Sequence, residues 1–336
     1  MATHGALSPS STTSVTWKST WPNKPDIVLE GGNAARDPSG NVDCPDDLSL
    51  LTTYWGITDK LFVPTGDTSA ATAQAARLGA ILSARYPDLW PETLRALLIH
   101  SAEWTPAMWQ ACGNDRNLLL RRYGYGVPHL DRACWSASNL LTLIAQDDLQ
   151  PFVKPANGNE VRTKDMNLYE LPWPRAQLEQ LFDTQVELRV TLSYFIEPNP
   201  ARRGWKYKHR YASHGLRFAV RNPGESLKEF QARVSKDAQE ETGPPGFREP
   251  GWRLGPLLRS RGSIHSDRWV GTAADLADRQ HLAVFPVSGW WKERPQLERW
   301  RNRVRYALVV SIHAPETNID IYTPVEALIA TPIEVE

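Results

Sequence analysis

Three stretches in the second half of the chain alternate between apolar and polar residues, which is typical of strands that bury one face. They are residues 186–194, 216–220 and 304–312. Ile319 and Ile321 add a shorter strand candidate, and residues 226–234 have the helical spacing of an inserted amphipathic helix. Alternating strands joined by long polar connections predict an all-β, antiparallel β-sandwich domain over residues 181–336.

The first half of the chain has a different pattern. Residues 5–145 alternate between strand-like and helical segments, which predicts an α/β domain over residues 1–145. Small residues fill the stretch from Ala70 to Leu82, which predicts a helix packed closely on every side and buried in its domain. A proline-rich stretch, residues 146–180, is predicted to link the two domains.

A serine stands at the start of this small-residue helix. Gly66, Asp67, Thr68 and Ser69 lead into it, and a helix N-terminus stabilises negative charge that develops beside a serine. The same residues are also common helix caps with no chemistry. The ten residues alone leave both interpretations open.

Five segments, in the same order, resemble the subtilisin-like serine proteases, or subtilases. They are Gly5-Ala6-Leu7-Ser8-Pro9-Ser10-Ser11, Lys24-Pro25-Asp26-Ile27-Val28, Thr68-Ser69 followed by Ala70-Ala71, the helix that Pro91 opens, and Gly124-Tyr125-Gly126. The resemblance implies the C-terminal half of a doubly wound α/β catalytic domain. Several members of the family carry a β-sandwich behind it.

The resemblance also implies an activity. Ser69 would be the catalytic nucleophile of a serine endopeptidase that forms an acyl-enzyme, with Gly66 and Thr68 supporting the turn and the oxyanion. The substrate would be a peptide or protein, and the family mechanism uses no cofactor. Asp67, between Gly66 and Thr68, and Ala73, where a proline is usual, depart from the family pattern.

The remaining catalytic groups are the larger departure. The aspartate and histidine of the family precede the serine, in Asp-Ser/Thr-Gly and His-Gly-Thr-His segments, but here only His4 precedes Ser69 and it lacks that context. We therefore expect a truncated catalytic domain whose partner is a missing N-terminal protease half or, as the resemblance to bacterial subtilases encoded beside an ATPase implies, an ATPase. The alternatives are a non-catalytic binding or scaffold pseudoprotease and an inactive gene fragment.

The composition of the chain argues for a globular protein and against several kinds of binding partner. The 336 residues are 41% hydrophobic and 23% charged, which is typical of a globular protein. The 38 basic and 38 acidic residues give a net charge of +0, which argues against a nucleic-acid or anionic-membrane partner. There is no run of about 18 apolar residues and no signal peptide, so we expect a cytoplasmic protein without a membrane span. Its three cysteines are expected to be reduced.

Residues 205–211 mix cations with aromatic residues, as a surface for RNA or single-stranded DNA does. Their period of two favours an edge strand instead, because the chain has no net basic charge. His209 and His214 lack further ligands in a metal-binding pattern, so no metal site is predicted. His129 is predicted to be a loop or core residue, and Trp290 and Trp291 to anchor a core.

Overall fold

The computed structural model describes residues 1–18, 21–134, 141–158, 160–171, 173–200, 211–239 and 250–314. The chain forms two compact units. The first unit is Met1–Leu89 with Leu97–Cys134, and the second is Trp90–Ala96 with Trp135–Glu336. Most of the aromatic and basic stretch at 205–211, with His209, and the strand candidate at Ile319 and Ile321 lie outside the described residues.

Helices and two short hairpins make up the first unit. Its strands are β1 (Ala35–Arg36), β2 (Val42–Asp43), β3 (Leu50–Thr53) and β4 (Phe62–Thr65), and β1 pairs with β2 as β3 pairs with β4. The helices of this part of the chain are α1 (Asp67–Arg85), α2 (Pro91–Ser101), α3 (Pro106–Cys112), α4 (Arg116–Tyr123) and α5 (Leu130–Cys134). The first residues of α2, up to Ala96, are grouped with the second unit.

Local sequence explains where these helices begin. Pro91 opens α2, as its fixed φ predicts. The Thr105 hydroxyl accepts a hydrogen bond from the Met108 N–H at the start of α3, and the Asp115 carboxylate does the same for the Leu118 N–H at the start of α4. Each cap satisfies a backbone donor that has no partner within the helix.

The segment from Lys24 to Gly32, which the resemblance predicted as a strand, is extended but forms no strand of a sheet. It pairs with the Gly-Tyr-Gly segment through only two hydrogen bonds, from Tyr125 N to Asp26 O (2.9 Å) and from Val28 N to Gly126 O (3.0 Å). A Cβ on Gly124, whose φ is +57°, would lie 2.2 Å from Asp26 O. Only glycine permits this approach of two backbones.

The doubly wound sheet is absent from the described residues, where every strand pair is antiparallel. The coarser expectation of a mixed α/β chain is confirmed, with several small sheets. A parallel sheet needs several strands side by side with helices on both faces, and the first unit has only two-stranded hairpins in the described ranges.

Helix α1 is less buried than its small residues predicted. Only Ala70, Leu78 and Leu82 are buried, while Ser69 and most of the alanines are exposed or half-buried. Small side chains allow close packing on every face of a helix, but they do not supply the neighbours that would cover it. The expectation of a helix buried on all sides is therefore wrong.

Two antiparallel sheets dominate the second unit. The four-stranded sheet has the order β11 (Ile264–Thr272), β9 (Gln185–Tyr194), β13 (Val304–His313) and β5 (Leu141–Leu149). The three-stranded sheet has the order β10 (Gly215–Val220), β12 (His281–Val287) and β8 (Asn167–Glu170). The smaller elements are β6 (Phe152–Val153), β7 (Arg162–Thr163), α6 (Arg175–Gln180), α7 (Leu227–Gln239), α8 (Gly255–Arg259), α9 (Ala273–Asp278) and α10 (Trp290–Glu293).

One hydrophobic cluster contains side chains from both sheets. Leu188 and Val310 of the four-stranded sheet belong to it, as do Phe218 and Val284 of the three-stranded sheet and Trp290. The strands predicted from alternation are observed as β9, β10 and β13, and the predicted inserted helix as α7. That these sheets form a separate β-sandwich domain stays a prediction.

Residues 146–180, predicted as a linker, contribute elements of this fold. They contain the end of β5, the strand β8 and the helix α6. Pro151 lies between β5 and β6, and Pro155 opens a turn that the Gly158 N–H closes, so the proline-rich composition marked connections between short strands. The sequence lacked a strong alternation here because these strands are short or partly exposed.

Ionisable groups are buried beside the hydrophobic cluster. Arg259 Nη1 lies 3.4 Å from Asp267 Oδ2, and both side chains are almost fully buried. Asp267 also accepts hydrogen bonds from the Leu254 and Gly255 N–H groups, at 2.9 Å each. The Arg259 guanidinium lies over the ring of Phe218 at 4.4 Å. Burial raises the pKa of Asp267, and this set of partners holds the charged pair in the interior.

Two buried histidines flank Tyr194. The ring centroids of His214 and His265 lie 5.5 and 5.7 Å from that of Tyr194. Ser213 Oγ is 2.9 Å from His214 Nδ1, and His265 Nε2 is 3.1 Å from Gly262 O. The second nitrogen of each ring, His214 Nε2 and His265 Nδ1, has no hydrogen-bond partner. Burial lowers the pKa of each histidine to about 3.

These histidines predict a pH-dependent stability. An unfolded histidine has a pKa of about 6.5, so between about pH 6.5 and 3 the unfolded chain binds protons that the folded chain does not. The free energy of unfolding should therefore fall as the pH decreases through this window, by up to about 1.4 kcal/mol per pH unit for each histidine. Urea unfolding at pH 7.5, 6.0 and 5.0 measures this slope.

A His214→Gln, His265→Gln double variant should have a shallower slope than the unmodified chain. An unaltered slope in the double variant would show that His214 and His265 do not cause the pH dependence.

Candidate active site

The backbone at the start of α1 places Ser69 in the first turn of the helix. Gly66 is the N-cap, with extended backbone, and Asp67 is the first helical residue. The Asp67 N–H donates to the Gly31 carbonyl at 2.7 Å, so its donor is satisfied outside the helix. The helix thus begins one residue before Thr68 and beside residues 31–32, which do not end a strand.

Asp67 has a left-handed backbone conformation, with φ at +62°. The family has glycine directly before the Thr-Ser pair, and glycine adopts this conformation without cost. Aspartate is among the few other residues that tolerate it, because its short polar side chain bonds locally. Aspartate at position 67 is therefore compatible with this turn.

Residues 30 and 31 contact the first two turns of α1. A Cβ on Gly31 would lie 3.0 Å from Asp67 O, so a larger residue would push the start of the helix away. About two helical turns further on, Gln74 Nε2 donates to the Glu30 carbonyl at 2.6 Å. The start of α1 is thus fixed to one extended segment at two points.

Gln74 is a positioning residue that the sequence analysis missed. A glutamine in an alanine-rich helix gives no pattern from which this contact could be read. Its role depends on a carbonyl 44 residues away in the sequence.

Gly66, Thr68 and Ser69 lie together in a single turn at the start of α1. Thr68 and Ser69 are exposed, and the Thr68 carbonyl accepts a hydrogen bond from the Thr72 hydroxyl at 2.7 Å. The first N–H groups of a helix have no partner within it, so this turn presents donors and positive potential beside the Ser69 hydroxyl.

A cleft of about 890 Å³ lies beside the turn, within the first unit. Its walls come from residues 2–13, 25–33, 47–50 and the start of α1, and they include His4, Glu30 and Thr68. Leu7, Val28 and Met108 give it apolar surface. Ser69 is not among the lining residues, although Thr68 beside it is.

The described residues do not complete a catalytic triad. Within them, no histidine is hydrogen-bonded to Ser69 Oγ, and His4 only lines the neighbouring cleft. His129 is exposed, and its backbone N–H donates to Ser101 Oγ at 3.2 Å.

In the described parts of the chain, no three His, Cys, Asp or Glu residues are grouped to hold a metal ion. No helix in these parts is long and apolar enough to cross a membrane. All three cysteines are free thiols, Cys44 exposed and Cys112 and Cys134 buried.

Comparison with known proteins supports the subtilase resemblance for the first unit. A sequence model of the subtilase family matches residues 1–126. The uncharacterized protein y4bN of Sinorhizobium fredii is 27% identical over 279 residues, which cover 80% of this chain and 59% of that protein. The chain thus spans less than two thirds of the length of this relative.

Among solved structures, one chain from the crystal structure of tomato aspermy virus matches 53% of this chain and 79% of its own length. The sequence identity is 10% and the TM-score is 0.22, which is too low to show a shared fold.

The conformation of Asp67 yields a prediction about stability. Asp67→Gly should change the free energy of unfolding by less than about 0.5 kcal/mol, because relief of the left-handed conformation offsets the loss of a negative charge at the helix start. Asp67→Val should lose about 2 kcal/mol, because a β-branched residue adopts this conformation poorly and carries no charge. Urea unfolding of the full chain measures both changes.

Thr68→Val, one residue further into the helix, is the matched control and should have a small effect. Equal losses of unfolding free energy for Asp67→Val and Thr68→Val would show that the left-handed conformation of residue 67 is not what Asp67→Val disturbs.

Proposed function

We propose that the first unit carries the nucleophile segment of a subtilisin-like serine endopeptidase, with Ser69 as the nucleophile. The observation that carries this proposal is the position of Ser69, exposed in the first turn of a helix that is fixed by its backbone to Gly31. This turn lies within the residues that match the subtilase family.

The chemistry would be acyl transfer. The Ser69 hydroxyl would attack the carbonyl carbon of a peptide bond, and N–H groups of the first turn of α1 would stabilise the oxyanion. Gly66 and Thr68 would hold the turn in shape. The adjoining cleft of about 890 Å³ is of a size that accepts side chains of a peptide or protein substrate.

The base and its orienting carboxylate would come from another polypeptide. This part of the proposal is supported by the lack of any histidine bonded to Ser69 Oγ among the described residues. A serine hydroxyl is a weak nucleophile without a base, so the chain by itself would be inactive. A polypeptide that carries the histidine and aspartate would complete the site, and the same resemblance makes an ATPase the alternative partner.

The same observation favours one alternative function, a non-catalytic pseudoprotease that binds peptides in the cleft. In that case the turn at Ser69 would keep its shape as part of a scaffold, without a partner that completes a triad. The two functions differ in whether Ser69 becomes reactive when a histidine is supplied.

Labelling with a fluorophosphonate probe separates these functions. The purified chain should be labelled no more than its Ser69→Ala variant, because no base assists the hydroxyl. Removal of a triad member lowers turnover on the order of a millionfold, a figure measured partly in subtilases themselves. When the aspartate- and histidine-bearing half of a subtilisin-like protease is fused before Met1, Ser69 should be labelled and a peptide amide hydrolysed.

Two results would overturn the proposal. Labelling of Ser69 in the chain alone that is lost in His4→Ala would make His4 the base and remove the need for a second polypeptide. A fused protein that folds but stays unlabelled would favour the non-catalytic scaffold.

A further inference from the structure

The hairpin formed by β3 and β4 turns an apolar face toward solvent. Leu51 pairs with Pro64, and Thr53 pairs with Phe62, so these four side chains share one face of the hairpin. All four are exposed. The opposite face carries Leu50 and Val63, which are half-buried in the first unit. We call the four exposed residues the outward face.

The loop of the hairpin extends this apolar surface. Trp55 is 88% exposed, Ile57 72% and Leu61 64%. The loop is ordered by hydrogen bonds from Tyr54 N to Leu61 O and from Asp59 N to Gly56 O, both 2.9 Å. The backbone therefore holds these side chains in position before any partner arrives, which lowers the entropy cost of binding.

The apolar area is large for a surface that faces water permanently. Without Leu61, which the alternation places on the opposite face, four large side chains of roughly 150–250 Å² each expose between 53% (Phe62) and 88% (Trp55) of their surface. Together they leave on the order of 600 Å² in water, the upper end for the largest patch of a typical monomer. A standard interface buries about 800 Å² per partner, so the hairpin supplies most of one side.

The charge of the hairpin favours a partner that is itself neutral. The strands Leu50–Thr53 and Phe62–Thr65 contain no charged residue, and the loop contains one of each sign, Asp59 and Lys60. The whole chain has a net charge of +0, so two copies do not repel one another over long range. A strongly acidic or basic partner would gain nothing at this face.

We infer that the outward face of the hairpin packs against the same face of a second copy of this chain, forming a two-fold dimer. Two hairpins stacked face to face, about 10 Å apart, would remove Leu51 and Phe62 of both copies from water. Trp55 is a side chain of the type that contributes most to interface energy. A two-stranded hairpin is marginal by itself, and this packing would stabilise it.

Sedimentation equilibrium of the full chain tests the dimer. The unmodified chain should be dimeric, and a Leu51→Lys, Phe62→Lys double variant should dissociate at least about tenfold more readily, because four lysines would meet at the contact. The matched control is Leu257→Lys with Phe182→Lys, which adds the same charge at two exposed apolar residues of the second unit and should stay dimeric. A monomeric unmodified chain, or a double variant that stays dimeric, would overturn the inference.

Disulfide trapping locates the contact without relying on destabilisation. In a Cys44→Ser background, Thr53→Cys should form a cross-linked dimer under a mild oxidant, since Thr53 lies on the outward face. Val42→Cys, exposed but outside the hairpin, should not. Equal cross-linking of the two variants would show that copies meet elsewhere and would overturn the inference.

Discussion

One extended segment, from Lys24 to Asn33, holds the first unit together. The Lys24 carbonyl accepts a hydrogen bond from Ser14 N, and the Asp26 carbonyl accepts one from Tyr125 N. The Gly31 carbonyl accepts one from Asp67 N, and Asn33 N donates to the Leu48 carbonyl. The start of α1, the Gly-Tyr-Gly segment and residues 14 and 48 are therefore bonded to this segment through the backbone. The shape of the turn at Ser69 depends on it, because α1 begins where Asp67 meets Gly31.

Such backbone contacts need glycine or residues that tolerate a left-handed conformation. At Gly31 a side chain would meet the carbonyl of Asp67, and at Gly124 it would meet the carbonyl of Asp26. Two of the segments that resemble the subtilases, Lys24–Val28 and Gly124–Gly126, meet in one of these close approaches, and the other adjoins the Thr68-Ser69 pair. Such packing of the backbone is possible in a catalytic protein and in a non-catalytic scaffold alike.

The second unit is stabilised differently, by side chains shared between two sheets. Its interior also holds the Arg259–Asp267 pair and the histidines beside Tyr194. Burying such groups costs free energy unless hydrogen bonds and aromatic contacts offset it, and here the charged pair has both. The buried histidines that predict a pH-dependent stability therefore lie in the second unit, whereas the candidate chemistry lies in the first.

The sequence by itself determined the elements whose signal is local. Alternation predicted β9, β10 and β13, helical spacing predicted α7, and Pro91 marked the start of α2. The Gly-Asp-Thr-Ser stretch identified the start of α1 because turn and cap residues act within a few positions of themselves. The nucleophile candidate Ser69 was therefore visible in the sequence, and so was the lack of a histidine in the family context before it.

Only the tertiary structure decided which surfaces are covered. The small residues of α1 predicted burial, yet most of them are exposed. The prolines of residues 146–180 predicted a linker, whereas β5 and β8 pair there with strands distant in the sequence. The contact of Gln74 with Glu30, the left-handed Asp67 and the apolar outward face of the hairpin likewise left no sequence pattern. Burial and backbone contact depend on residues distant in the sequence, and no local periodicity records them.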